Sequence, residues 1–448
     1  MTRCYSFLIP LFACLYSVFA LADSKAYQQP FPNISATEKQ AFYLGQSMFE
    51  RLWVPAPSST TASDGLGPHF NARSCHSCHV NSGRGHAPTT DQLGSDVPSF
   101  FIRLGNSDKA APDRVIGDYM YGRQFHPLSA TNVKTEGDYR IHWQESIETF
   151  DDGSQVTLRN PSLEWLSLNH GDFQETTGFS MRVSPPLVGM GLLDLVPDSL
   201  ILENADPDDL DQNGISGKAN WIERDDDRLL GRFGHKASVS SLNEQNQSAF
   251  NGDLGLSTEL FPFPSGDCTV AQTDCMQAPN GNSQHLDGLE VSKEQMAVLD
   301  TYVALSMPPA MRNLDQAWFK DAKQIFDQLE CGSCHIPKLT TGLSKFTTLS
   351  HRDFYPFTDM LLHDLGSELA NGFPVFNASP QEWRTAPLWG IGLSESVSGR
   401  NGFLHDGRAR TIEEAILWHG GEAQASKKAY KSLNAKQRAL FVRFLESL

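Results

Sequence analysis

Positive charge is in short supply in this sequence. Its 36 lysines and arginines face 53 aspartates and glutamates, a net charge of −17 over 448 residues. Such a chain is repelled by nucleic acid and by anionic membrane surfaces, so neither is expected as a partner, whereas a basic redox protein would suit it. Long apolar runs are scarce too. The longest, Phe7 to Leu21, falls short of the ~20 residues that span a bilayer, and no later segment is long and apolar enough to cross a membrane. Cysteine is rare: eight residues, of which Cys4 and Cys14 belong to the N-terminal apolar segment.

That segment carries one charge, Arg3, and ends in Ala20-Leu21-Ala22, a small-x-small cleavage pattern ahead of Asp23. It predicts a secretory signal peptide over residues 1–22, removed after Ala22, and a periplasmic mature protein. A membrane anchor is the weaker reading because the run is short. A lipoprotein site through Leu11-Phe12-Ala13-Cys14 is weaker still, since Phe12 is a bulky neighbour for such a cleavage.

Six cysteines remain after cleavage. Four lie in Cys75-His76-Ser77-Cys78-His79 and Cys331-Gly332-Ser333-Cys334-His335. In C-x-x-C-H each residue serves a separate purpose, as two thiols add across the vinyl groups of a c-type haem and the adjacent histidine ligates the iron. A zinc ribbon needs its two cysteine pairs ~15–20 residues apart, far closer than these. Two covalent haems are therefore expected. The last pair, Cys268 and Cys275, is expected to form a disulfide in an oxidising compartment rather than a redox-active dithiol, because no cationic thiolate site is evident nearby.

The surroundings of the two motifs repeat. Ser35-Ala36-Thr37-Glu38 is a capping box, followed by Phe42, Gly45, Met48, Phe49 and Leu52 on one helical face. Trp318, Ala322, Ile325, Phe326 and Leu329 do the same before Cys331. A capped amphipathic helix closes each unit, after Ser292-x-x-Gln295 and after Asn434-x-x-Gln437. Arg182…Pro186-Leu187-Val188-Gly189-Met190-Gly191-Leu192 also matches Arg384…Pro387-Leu388-Trp389-Gly390-Ile391-Gly392-Leu393. The expectation is a mainly α fold: two cytochrome c-like haem domains from an internal duplication, over 23–309 and 310–448, the first swollen by a loop-rich insertion. The boundary falls at Met307-Pro308-Pro309, where a helix cannot continue. Asp209-x-Asp211-x-Asn213-Gly214 has the oxygen spacing of a calcium loop, although Asn220 rather than glutamate holds the twelfth position, and an Asx turn reads as well.

Longer runs carry a resemblance. They are Gly65-Leu66-Gly67-Pro68-His69-Phe70-Asn71-Ala72-Arg73, Asp211 to Gly217, Gly231-Arg232-Phe233-Gly234, Leu361-Leu362-His363-Asp364, Glu382-Trp383-Arg384-Thr385 and Phe403 to Arg410. In these the chain resembles the bacterial di-haem oxidoreductases, also described as predicted thiol oxidoreductases or peroxidases. These belong with the di-haem cytochrome c peroxidases and the di-haem enzyme that matures methylamine dehydrogenase. The resemblance implies a peroxidase-like oxidoreductase using hydrogen peroxide and a redox partner protein. The rivals are an electron-transfer cytochrome and an enzyme oxidising residues of a partner protein.

The resemblance also bears on iron ligands. Thr411 to His419 looks like the relatives' helix whose ninth position ligates iron as methionine or tyrosine; here that position is His419. Bis-histidine coordination by His335 and His419 follows, with Met360, His363 and His405 as rivals. At the first haem, whose ligand is His79, the matching helix offers Asn204 or Ala205, neither a good ligand. One face is then expected to be open, unless His86 or His126 reaches it. Asp194, Glu203 and Gln124 are acid–base candidates by resemblance of position only. Many relatives place a tryptophan after Gly-Arg-Phe-Gly as an inter-haem relay; here the residue is His235, either a substitute bridge or a ligand.

Overall fold

The computed structural model describes residues 24–448; the expected signal peptide lies outside them. The helices that shape the interior are α1 (Ala36–Glu50), α2 (Leu242–Leu254), α3 (Lys293–Leu305), α4 (Ala317–Gln328), α5 (Ile412–Trp418) and α6 (Ala435–Leu445). Their starts follow local chemistry. Ser35 Oγ accepts the Glu38 N–H while the Glu38 carboxylate accepts the Ser35 N–H at 2.6 Å, and the same reciprocal caps open α3 and α6. Helix α1 buries Phe42, Met48 and Phe49 against α3. A β-carbon on Gly45 would lie 2.0 Å from the Val298 carbonyl oxygen, so only glycine allows the two helices to approach so closely. Helix α4 meets α6 through Phe319, Phe326 and Phe444, with ring centroids 5.2 and 5.6 Å apart. Among the described residues no helix is long and apolar enough to cross a membrane.

The expectation of a mainly α fold does not hold. Helix makes up 31% and strand 20%, the latter in one three-stranded and several two-stranded sheets. Much of the sheet lies in the stretch expected to be a loop-rich insertion: β1 (Phe100–Asn106), β2 (Gly137–Thr149), β3 (Gln155–Leu168) and β4 (Thr177–Val183). Its signal is the two-residue period: Phe100, Ile102 and Leu104 are buried, as are Tyr139 and Ile141. On the other face of β1, Phe101 and Arg103, with Arg182 opposite Phe101 on β4, look into a cavity. The β2–β3 ribbon runs on to the second hydrophobic cluster, where Phe150 and Leu158 join Phe326, Tyr430 and Phe441. There Arg438 stacks 3.9 Å from the Phe150 ring and pairs with Asp152 at 3.0 Å. A further strand pair, β5 (Leu362–Asp364) and β6 (Glu382–Arg384), sets His363 opposite Trp383.

Cys268 and Cys275 are joined in a disulfide, as expected of the cysteine pair outside the two C-x-x-C-H motifs. Beside it lies a buried polar cluster. Glu136, 1% exposed, accepts the Gln272 amide at 2.6 Å and the His126 N–H at 2.5 Å, and faces Nδ1 of His69 at 3.5 Å and of His126 at 3.4 Å. Burial alone would raise its pKa, but the histidines and hydrogen bonds outweigh it and hold the carboxyl at about 2. The carboxylate in turn raises His126 despite that residue's own burial. A depressed acid stabilises the fold above its ordinary value of 4.5 and loses that contribution as pH falls toward about 2. The raised His126 stabilises below 6.5 and loses its contribution as pH rises through its folded value. Glu136→Gln should therefore lower the unfolding free energy by about 3 kcal/mol at pH 6, measured by urea denaturation. The gap to the wild type should narrow as pH drops from about 4.5 to about 2; an unchanged gap over that range refutes the assignment.

Candidate functional site

Both C-x-x-C-H segments form tight turns. Ser74 caps the first by accepting the Ser77 N–H, and His79 N donates to Cys75 O at 3.0 Å. In the second, His335 N donates to Cys331 O at 2.9 Å. Each turn gathers two thiols and an imidazole, and both sets line one cavity of about 770 Å³. None of the four cysteines is in a disulfide. Burial pushes the thiols of Cys75 and Cys331 up to about 12, and Cys78 well up.

The histidines fall into two groups. Nδ1 of His79 bonds to Pro185 O (2.8 Å), Nδ1 of His335 to Phe357 O (2.9 Å) and Nδ1 of His419 to Ala415 O (2.7 Å). A carbonyl accepts only, so in each ring Nδ1 carries the proton and Nε2 keeps its lone pair, the arrangement of a metal-ligating imidazole. Burial lowers the proton affinity of all three, His335 to about 4, and His419 is near enough to add to that lowering. His419 follows the last residue of α5, with its backbone N–H bonded to Ile416 O.

The rivals are otherwise engaged. His363 is held between Asp359 (Nε2, 2.7 Å) and Glu422 (Nδ1, 2.6 Å). Burial would lower its pKa, but these partners and Cys334 raise it to about 12, so it offers no lone pair. Met360, 1% exposed, belongs to the first hydrophobic cluster. His405 stacks on Trp383. His235 lines the cavity with Nε2 bonded to Val183 O at 2.9 Å. His126 belongs to the Glu136 cluster, its Nε2 on Gly252 O, and His86 lines a separate cavity of about 190 Å³ behind Cys78. Asn204 and Ala205 lie outside the wall of the large cavity, where the Asn204 amide bonds back to Leu200 O.

The acid–base candidates are spread out. Asp194 accepts the Leu242 N–H with Oδ1, and Glu203 follows the short helix Asp198–Leu202; neither lines the cavity. Gln124 is fully buried one step behind the wall, donating to Asn71 Oδ1 (2.5 Å) and to Asp253 Oδ1 (2.8 Å). Asp253, on α2, is itself a wall residue. Asp209, Asp211 and Asn213 form a self-bonded loop in which Gly214 N donates to Asp209 Oδ1 and Asn213 N to Asp211 Oδ1, at 3.1 Å each. The carboxylates of Asp206, Asp209 and Asp211 cluster there.

The sequence marks Arg182 and Arg384 only as matching positions of a repeat, and Arg84 and Arg103 carry no signal of a role in it. Arg84, Arg103, Arg182 and Arg384 line the cavity, and among the described residues none has a carboxylate within 4.0 Å. Burial pushes Arg182 down to about 9, Arg84 and Arg384 to about 10, and Arg103 in the same direction. Asp253 acts on Arg103 and Asp359 on Arg384 from beyond contact, but guanidiniums lining a cavity with no carboxylate in contact suit an anionic occupant. Haem brings carboxylates in its two propionates, and this donor set of thiols, lone-pair imidazoles and unpaired cations fits it.

A family model described as "Di-haem oxidoreductase, putative peroxidase" matches residues 15–109 and 128–448. No curated protein matches the chain. Among solved structures, Kuenenia stuttgartiensis hydrazine synthase, studied under xenon pressure, aligns at 13% identity with a TM-score of 0.33, covering 100% of this chain and 98% of that one.

Proposed function

Because the chain belongs to the di-haem oxidoreductase family, we propose that it is an exported, periplasmic peroxidase-like enzyme with one haem c at each C-x-x-C-H turn. One observation carries the division of labour: the second turn faces a second histidine with a free Nε2, His419, whereas the remaining wall histidines, His235, His363 and His405, are bonded or stacked elsewhere. A haem iron with an open face supplies the binding and reduction of hydrogen peroxide, and one closed on both faces supplies electron transfer.

The protein's own groups do the rest. The carbonyls of Pro185, Phe357 and Ala415 fix the imidazole tautomers so that each Nε2 points inward. Cys75, Cys78, Cys331 and Cys334 tie the groups by thioethers. Arg84, Arg103, Arg182 and Arg384 hold the propionates. Asp253, its Oδ1 held by the Gln124 amide, is the wall carboxyl that bears electrostatically on Cys75, Cys78 and His79; we assign it the movement of protons at the first site. Electrons come from a redox partner protein and pass inward through the second site.

EPR of the ferric protein tests this reading: one high-spin and one low-spin signal are expected. Two low-spin signals that persist after half-reduction, with no peroxide consumed in that state, refute it and leave an electron-transfer cytochrome.

A further inference from the structure

The wall between the two turns can be followed residue by residue. His79 bonds to Pro185 O; two residues earlier, Val183 O bonds to His235. The His235 ring meets the edge of Trp383 at 6.4 Å and 80°. Trp383 in turn lies across the β5–β6 pair from His363, whose Nδ1 is 3.6 Å from Cys334 Sγ. Trp383 is thus an indole on a route from one attachment turn to the other.

Its surroundings oppose positive charge on the ring. His405 stacks on it at 3.7 Å and 12°, and Lys236 Nζ lies 3.8 Å from the ring centroid. Two groups so close to one ring must take opposite faces. Lys236 is wholly buried, and Nζ donates to the carbonyls of Ser379 (3.0 Å), Pro380 (2.9 Å) and Glu382. Burial drives its pKa down, yet three carbonyl acceptors need three N–H donors, which only the ammonium has. The Arg182 guanidinium, 5.9 Å from the ring, adds a second positive charge. The indole N–H donates to Leu369 O at 2.9 Å, and a backbone carbonyl is no base that could remove that proton.

We propose that the Lys236 ammonium, seated on the indole face, makes Trp383 a bridge that electrons cross without the ring itself being left oxidised. The neutral ring attracts the ammonium through its quadrupole, whereas a ring that had lost an electron would repel it across a buried gap. Lys236 is a positioning residue whose effect is protective. Reduction of one H2O2 to two waters takes two protons and two electrons. When the donor protein supplies only one electron, the missing one is not drawn from Trp383. The inference rests on the peroxide reading and goes beyond it.

The test compares holoprotein of the wild type, Lys236→Met and Lys236→Arg under two oxidants. One is hydrogen peroxide without a donor; the other is flash-generated ruthenium(III) tris-bipyridine, a one-electron oxidant that needs no peroxide chemistry. Radical EPR and peptide mass mapping read oxidation at Trp383. Lys236→Met should show about tenfold more Trp383 oxidation than the wild type, with Lys236→Arg close to the wild type. Equal oxidation in wild type and Lys236→Met under ruthenium overturns the proposal. Failure to consume peroxide sinks the peroxidase reading while the ruthenium arm still decides this one. Should Lys236→Met not fold, the wild type decides through Trp389, another buried tryptophan of the wall, with no cation over its ring among the described residues. Trp383 must then be oxidised less than Trp389, and the reverse order refutes the inference.

Discussion

Serine at both Cys331 and Cys334 is expected to leave one covalent haem per chain where two are expected in the unmodified protein, and serine at both Cys75 and Cys78 should do the same at the other turn. The loss should be confined to the mutated turn because the two sit in different cores: Cys75 packs against the first hydrophobic cluster and Cys331 against the second. Haem itself need not leave the cavity. His335, His419 and the unpaired arginines would still hold it, so the second haem of Cys331→Ser/Cys334→Ser should become extractable by acid acetone rather than vanish. Denatured mass and pyridine haemochrome spectra separate these cases. A wild type whose haem is all acid-extractable would contradict thioether attachment, while both covalent haems surviving either double substitution would dissociate the motifs from attachment.

What could be read in advance was what neighbours in sequence dictate. A thioether turn needs two cysteines and a histidine within five residues, and a capping box needs a hydroxyl or amide three residues from a carboxylate or amide, so both stand in plain view. The cavity-facing role of Arg103 and Arg182 does not. They face the cavity because β1 and β4 pair with Phe101 opposite Arg182, a register that depends on partners some eighty residues apart. Alternation at Phe100, Ile102 and Leu104 was present, but strands of this length in a stretch rich in glycine and proline read as loop, which is why the helical expectation overreached. The replacement of a relay tryptophan by His235 looked like a gap in the electron path. Trp383, far along the chain, lies against His235 through the fold alone, and nothing local to either residue announces it.

His419 carries the sharpest consequence. Its backbone N–H already completes the end of α5 on Ile416 O, so His419→Ala removes the imidazole without uncapping the helix. The side-chain hydrogen bond lost is the one to Ala415 O, a carbonyl that lies at the helix end. No other histidine of the second site can take over. His363 has both ring nitrogens committed to Asp359 and Glu422, His405 is pressed flat against Trp383, and Met360 is packed in the other hydrophobic cluster. The low-spin EPR signal of the second site should therefore turn high-spin with haem content unchanged. Cyanide, which should bind one iron per chain in the wild type, should bind two in the variant. Electron delivery to peroxide should fall by about two orders of magnitude, since a site that changes ligation on each reduction must reorganise before it passes an electron on. His363→Gln serves as the control and should keep the low-spin signal, because both nitrogens of that ring are committed to carboxylates. A low-spin signal that survives in His419→Ala but disappears in His363→Gln would reverse the assignment of the ligand.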